Sequence, residues 1–468
     1  MIDSKPKLNI LNYFFFLLLL SSFFLLFHLN TGSLASWDEA IYAQVAREIV
    51  WSGNWLNLTW DGSVWLNKPP IGSWATAFFY KILGISEFSA RLFSAVCGIG
   101  TILITYLLGR KLLGKWAGFL GALVLLSSAH YLRYVRFGML DSPVTFFLSL
   151  ALYFFWLGRE KSRYFLFSGI AIGLAFMTKS YVGLFAFPII WIYCGWAGEG
   201  KILRSLYYWI GVILAALIVI PWLCYETSHY RGAFIQESVV YHFFLRSTQA
   251  LEGHSGGIGF YIRTLINKYH PWVPVGIISV PVCLFKAVKH KTKEMIFITV
   301  WIFSILLIVT LMKTKCDWYI LPLYPALSLS VGFILSKIFH ERYAIFVRVI
   351  FLEIMIVHIH FSHIFDFDYS HAIKNLSPLI GKQVPSDKKI YFYKYHEQPA
   401  GIFYLARKIV YLEDKRSFID AAQNGKEFFC LISEKDIESF QGRMSPLGLL
   451  THGAIGGMRF LTNQKKLE

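Results

Sequence analysis

The sequence predicts a mainly α-helical fold: a polytopic transmembrane bundle of about eleven helices, interfacial helices in its first outer loop, and a small C-terminal soluble α/β domain. Three observations carry this. Hydrophobic residues make up 56% of the chain and charged ones only 16%, against about 25% charged in soluble domains. Apolar runs of spanning length recur as far as Phe361, with Lys and Arg concentrated in alternate connecting loops. Beyond Asp366 hydropathy falls, and short β-rich runs alternate with a helix-like one.

The first apolar run, Ile10 to Leu29, is long enough for a hydrocarbon core of about 30 Å and exceeds a signal-peptide core. Lys5 and Lys7 precede it, so it reads as a retained first helix with a cytoplasmic N-terminus. Arg110, Lys111 and Lys115, then Arg159, Lys161 and Arg163, then Lys201 and Arg204, then Lys286 to Lys293, then Lys337 and Arg342 mark the cytoplasmic loops. An eleventh helix near Tyr343 to Phe361 places the C-terminal segment outside. The expected domains are therefore a membrane domain, 1–365, and an extracytoplasmic α/β domain, 366–468, containing strands at KIYFYKY and EFFCLI and a helix at FIDAAQNG.

The net charge of +17 raises nucleic acid as a partner. Its distribution excludes that reading, because the excess lies mostly in the cytoplasmic membrane loops. The six cysteines form no CxxC pair, so no thiolate metal site or disulfide framework is implied.

The first outer loop is the most informative. In SWDEAIYAQVAREIVWSGNW, Ile41, Val45 and Ile49 recur at spacing four and Gly53 supplies a stop, which predicts an amphipathic helix along the membrane surface. Ser36 and Glu39 have the spacing of a capping box, so Glu39 has a structural explanation beside a functional one. Asp38 lies outside the box, although a first-turn carboxylate also favours the helix dipole. In WLNKPPIGSW the prolines predict a second helix running towards Gly84. Lys68 then sits at its N-terminus, where a cation makes sense if an anion shares the site. A lysine snorkelling to headgroups is the competing reading.

The second outer loop gathers Arg133, Arg136 and Asp141, with Ser142 and Pro143 suited to start the next helix. The third carries His242, Arg246, His254, Lys268 and His270, and its glycine-rich Gly253 to Gly259 follows no strand, so it is a poor dinucleotide fingerprint. A fourth holds Lys313, Lys315 and Asp317. Carboxylates and cations at the interface suit a lipid phosphate bearing a polar group.

These residues resemble a family. WDEAIYAQVAREIVWSGNW, WLNKPPIGSW, EFSARLFSAVCG, RFGMLDSP, GLAFMTKS and CDWYILPLYPAL are similar to the membrane glycosyltransferases of the C superfamily, in particular aminoarabinose transferases and protein O-mannosyltransferase relatives. The resemblance covers Leu8 to about Leu335. It implies an inverting transfer from a polyprenyl-phosphate sugar to a glycolipid such as lipid A, a glycan or a protein, at the outer face of a bacterial inner membrane. It also implies that Asp38 is the base or orients the acceptor, with Glu39 and Tyr42 beside it. Lys68 would contact the donor phosphate and Asp141 would be a second acidic site residue, while Arg136, Lys179, His242, Arg246 and Tyr319 are weaker carry-overs. Aminoarabinose transferases tend to have Glu before this lysine, associated with a metal, whereas this chain has Asn67. Asparagine is a poor zinc ligand, which argues against a metal there, and no other cofactor is implied. A flippase for lipid-linked sugars and a non-catalytic envelope scaffold are the competing functions. No repeat relates two halves of the membrane part, which weighs against an inverted-repeat transporter.

Overall fold

A computed structural model describes residues 5–35, 37–361, 368–395, 398–424, 427–440 and 449–464. It divides into two compact units: Met1–Leu29, Trp65–Phe79 and Arg91–Phe365 form the first, and Asn30–Val64, Tyr80–Ala90 and Asp366–Glu468 the second.

In chain order the first ten helices are α1 (Lys5–Leu26), α2 (Asp38–Ser52), α3 (Ile71–Leu83), α4 (Glu87–Leu113), α5 (Lys115–Leu126), α6 (Ala129–Val135), α7 (Asp141–Gly158), α8 (Tyr164–Lys179), α9 (Ala186–Trp196) and α10 (Leu206–Tyr230). Apolar helices Val273–Phe285, Lys293–Leu311, Tyr324–Ile338 and Ala344–Phe361 follow. Among the described residues seven helical segments are long and apolar enough to span a bilayer, against the eleven expected. Lys115–Leu126 is apolar but only 12 residues long, Tyr164–Trp196 is one segment interrupted by a 3₁₀ turn at Ser180–Phe185, and α1 runs for 22 residues.

Small residues let the helices of the first unit approach closely. An added Cβ on Gly169 of α8 would lie 1.9 Å from the carbonyl oxygen of Gly211 on α10, and one on Gly173 would meet the backbone of Ala215 at 3.1 Å. Both pairs are one turn apart on their own helix. This is the small-residue seam that packs membrane helices through backbone contact.

The second unit holds the α2 helix and the sheet. The α2 helix ends where predicted, with Gly53 at φ +69° and its amide bonded to the Ile49 carbonyl. A short hairpin follows, β1 (Thr59–Trp60) with β2 (Ser63–Val64). The five-stranded sheet comprises β3 (Ile390–Tyr393), β4 (Ile409–Leu412), β5 (Phe429–Ser433), β6 (Leu450–Ile455) and β7 (Met458–Thr462), in the order β4-β3-β5-β7-β6. The β3 strand pairs parallel with β4 and β5, while β7 runs antiparallel to β5 and β6. Strand alternation sorts the core: Ile390 and Phe392 pack with Leu376 and Ile402 on one face, Tyr393 with Phe418 on the other. The strands expected at KIYFYKY and EFFCLI and the helix at FIDAAQNG all form, the last as Lys415–Asn424. Gly425 and the Asp366 boundary lie outside the described residues.

Two local starts differ from expectation. The α7 helix begins at Asp141 with Leu140 before it, and Ser142 donates to the Ser94 carbonyl at 2.7 Å instead of capping. The α3 helix begins at Ile71, directly after both prolines.

Candidate functional site

In the first unit the loops and helix ends assemble a cluster of ion pairs. Lys68 precedes the proline pair that leads into α3. Its ammonium lies 3.1 Å from Nδ1 of His242, on a π-helical segment spanning Ile235–Leu245. An ammonium donates only, so Nδ1 accepts and the proton of the neutral ring sits on Nε2. That nitrogen is 3.3 Å from Glu237 Oε1. Burial, then the charge of Lys68, push the His242 pKa down to about 4, so the ring is neutral at physiological pH.

Arg246 follows His242 by one helical turn. It donates to the Tyr319 hydroxyl at 3.0 Å and forms a fork on Glu252 at 2.6 and 2.7 Å. Tyr319 connects this arm to a second one. The Lys179 ammonium lies 5.1 Å from the Tyr319 ring centroid and donates to Asp141 Oδ1 at 2.6 Å. Lys179 ends α8, where the backbone leaves the helix at φ −143° and Ser180 turns to φ +46°. Asp141 opens α7. Both are more than nine-tenths buried, 8% and 3% exposed, so each needs the other's charge.

The structure thus brings together Lys68, His242, Arg246, Tyr319, Lys179 and Asp141, all within the first unit. Arg136 has a different place. It is fully buried, and its guanidinium donates to the carbonyls of Phe24, Phe27 and His28 at 2.6, 2.8 and 3.3 Å, satisfying acceptors at the end of α1.

Asp38, Glu39 and Tyr42 belong to the second unit. Asp38 is the first residue of α2 and half-buried. Glu39 is 1% exposed and accepts from the Ala35 amide at 2.7 Å, four residues back. Its carboxylate therefore braces the chain entering the helix, whose N-cap is Trp37, while Ser36, the other half of the expected capping box, lies outside the described residues. Tyr42 is 5% exposed on the same helix.

Sequence reasoning missed Glu237 and Glu252. The pairing of Glu237 with His242 spans five residues, a spacing that a π-helical turn brings into line and an α-helical reading does not. A further ion cluster also escaped it: Asp317 accepts from Tyr134 at 2.8 Å, pairs with Lys268, and lies 3.6 Å from His130 Nε2.

The donor set does not fit a divalent metal at Lys68. Asn67 is a weak ligand, and His242 Nδ1 already accepts from an ammonium, whose charge opposes a second cation. Among the described residues no three His, Cys, Asp or Glu side chains gather as a metal site.

Residues 67–225 match the family described as dolichyl-phosphate-mannose-protein mannosyltransferase. An uncharacterised protein of Aquifex aeolicus is 30% identical over 379 residues, spanning 81% of this chain and 84% of its own. An undecaprenyl phosphate-alpha-4-amino-4-deoxy-L-arabinose arabinosyl transferase of Pseudomonas fluorescens is 26% identical over 66% of this chain. The chain spans just over half, 55%, of that relative's length. In fold, the chain is similar to ArnT from Cupriavidus metallidurans bound to undecaprenyl phosphate, with a TM-score of 0.79 at 17% identity over 97% of this chain and 98% of that one. It is also similar to the Archaeoglobus fulgidus oligosaccharyltransferase, with a TM-score of 0.66 at 12% identity over 99% of this chain and 75% of that one. Relatives in sequence and neighbours in fold thus converge with the loop motifs: residues 67–225 match the dolichyl-phosphate-mannose-protein mannosyltransferase family, and the chain is similar in sequence to the aminoarabinose transferases and in fold to ArnT.

Proposed function

We propose that this protein transfers a sugar from a polyprenyl-phosphate donor to an acceptor hydroxyl at the outer face of a bacterial inner membrane. The observation that carries this reading is the convergence of Lys68, Arg246 and Lys179 on Tyr319 and neutral His242. Two of these cations, with the Tyr319 hydroxyl, suit a phosphate whose lipid tail stays in hydrocarbon.

The chemistry follows from the charges. The bond between the anomeric carbon and the phosphate oxygen breaks as the acceptor oxygen attacks from the opposite face, which inverts that carbon. The polyprenyl phosphate departs with an additional negative charge, which Lys68 and Arg246 stabilise. The acceptor hydroxyl loses its proton to a carboxylate, and the resemblance assigns that role to Asp38. Asp141 holds Lys179 in place, so its role is positioning. The acceptor is a glycolipid such as lipid A, a glycan or a protein.

In this reading the N-terminus and the loop from Lys286 to Lys293 are cytoplasmic, and residues from 366 onward form an extracytoplasmic domain. The relatives' names support the donor class, and the alternation of basic loops supports the orientation.

Binding of undecaprenyl phosphate to the purified protein tests the phosphate cradle. Lys68→Ala should weaken it by about 1.5 to 3 kcal/mol, the range for a hydrogen bond to a charged group. An unchanged affinity would return Lys68 to a headgroup-anchoring role.

A further inference from the structure

A polar cavity of about 610 Å³ lies wholly within the second unit between α2, the β1–β2 hairpin and the turn after the helix Pro399–Leu405. Its lining includes Arg47, Glu48, Trp51, Asp61, Arg407 and Lys408.

The charges in it are unevenly compensated. Arg47 is only 5% exposed, yet its guanidinium meets neutral acceptors: the carbonyls of Phe403 and Ile402 at 2.5 and 3.0 Å, and the Gln44 side-chain oxygen. Its Nε is buried and has no partner among the described residues. Burial holds the Arg47 pKa down at about 10, even though the charge of Glu48 opposes the shift. Arg407 likewise donates to backbone carbonyls, those of Pro385, Leu405 and Val384. Carbonyls orient a guanidinium but do not neutralise it.

The nearest carboxylate is already committed. Glu48 accepts from Gln44 Nε2, from the Thr59 hydroxyl and from the Asp61 amide, at 2.6, 2.5 and 2.8 Å, and thereby anchors the hairpin. Burial and the neighbouring Glu48 raise the Asp61 pKa while Lys408 opposes the rise, and the lining sets these two carboxylates against Arg47, Arg407 and Lys408.

Trp51 supplies the remaining feature. The Arg47 guanidinium lies 4.3 Å from its ring centroid, yet 59% of the residue stays exposed. An indole with free face area beside forked donors and acceptors suits a polyhydroxylated ring, whose C–H face stacks while its hydroxyls bond at the edge. The cation excess adds a preference for an acidic substituent.

We propose that this cavity is a binding subsite for an acidic saccharide, one that stacks on Trp51 and directs its anionic group to Arg47 and Lys408. The assignment of that saccharide as part of the acceptor rests on the transferase reading; its binding does not.

Saturation-transfer NMR on the full chain in lipid nanodiscs tests it, using glucose 6-phosphate, glucose and inorganic phosphate as probes. Glucose 6-phosphate should bind in roughly the millimolar range and more tightly than either component. Trp51→Ala should weaken it about fivefold, the size of one aromatic contact, and Lys408→Ala should weaken glucose 6-phosphate while leaving glucose unchanged. Equal binding by wild type and Trp51→Ala, equal affinity for inorganic phosphate alone, or no binding would each overturn the subsite. Where transfer is measured, Trp51→Ala should raise the acceptor KM and leave kcat alone. Loss of binding with transfer intact rejects the subsite only, whereas intact binding in a protein that transfers nothing supports the subsite and rejects the transferase reading.

Discussion

The ammonium of Lys68 donates to Nδ1 of His242 across 3.1 Å, which requires the imidazole to be neutral. This has a consequence for stability against pH. In the folded chain His242 takes up a proton only near pH 4, whereas an unfolded histidine does so near about 6.5. Between those values the unfolded state binds more protons, so stability falls as pH falls through that window. Replacing His242 by Gln removes this contribution. Thermal unfolding at pH 7 and pH 5 should therefore show a smaller loss for His242→Gln than for wild type. An equal or larger loss in the variant contradicts the depressed pKa.

Asp141 and Lys179 form a buried ion pair at 2.6 Å. Removing one partner leaves the other charge in an apolar setting, so Lys179→Met alone should cost about 3 to 5 kcal/mol of stability. The double substitution Asp141→Leu with Lys179→Met should cost clearly less than the sum of the two single changes. Additive losses in that cycle would mean the two charges are held independently.

The seam between α8 and α10 depends on a missing Cβ. Gly169→Ala should destabilise the bundle by about 2 to 3 kcal/mol, because the methyl would enter the Gly211 carbonyl and the helices must separate. Gly195, near the end of α9, is the control. Nothing lies within 4 Å of its would-be Cβ, so Gly195→Ala should be neutral or gain a few tenths of a kcal/mol. Similar melting temperatures for both variants would contradict the packing described.

Local signals in the sequence proved readable where the structure obeys local rules. Gly53 ends α2, and period-two alternation around Phe392 forms a strand. Tertiary partners were less accessible. Nothing in the vicinity of Arg136 reveals that it serves carbonyls at the end of α1 more than a hundred residues earlier in the chain. The Glu237–His242 pairing was hidden because its helix is wound more widely than the pattern assumed. Hydropathy likewise registers an apolar run, but not that α5 is only 12 residues long or that Tyr164–Trp196 is a single interrupted segment. The candidate cations Lys68, Arg246 and Lys179 were nameable from the family motifs, while the placing of Arg246 and Lys179 on Tyr319 and of Lys68 on His242 required the fold.

The central claim is glycosyl transfer with Asp38 as the proton acceptor, and one comparison tests it most directly: turnover and donor affinity of wild type and Asp38→Asn, measured on the same purified preparation. Asparagine retains the size and most of the helix-starting character of aspartate but takes up no proton near neutral pH. The account predicts a kcat lower by about 10²-fold or more, with undecaprenyl phosphate bound within roughly threefold of wild type. Turnover of Asp38→Asn within about threefold of wild type would contradict it, since losing the base costs far more than that.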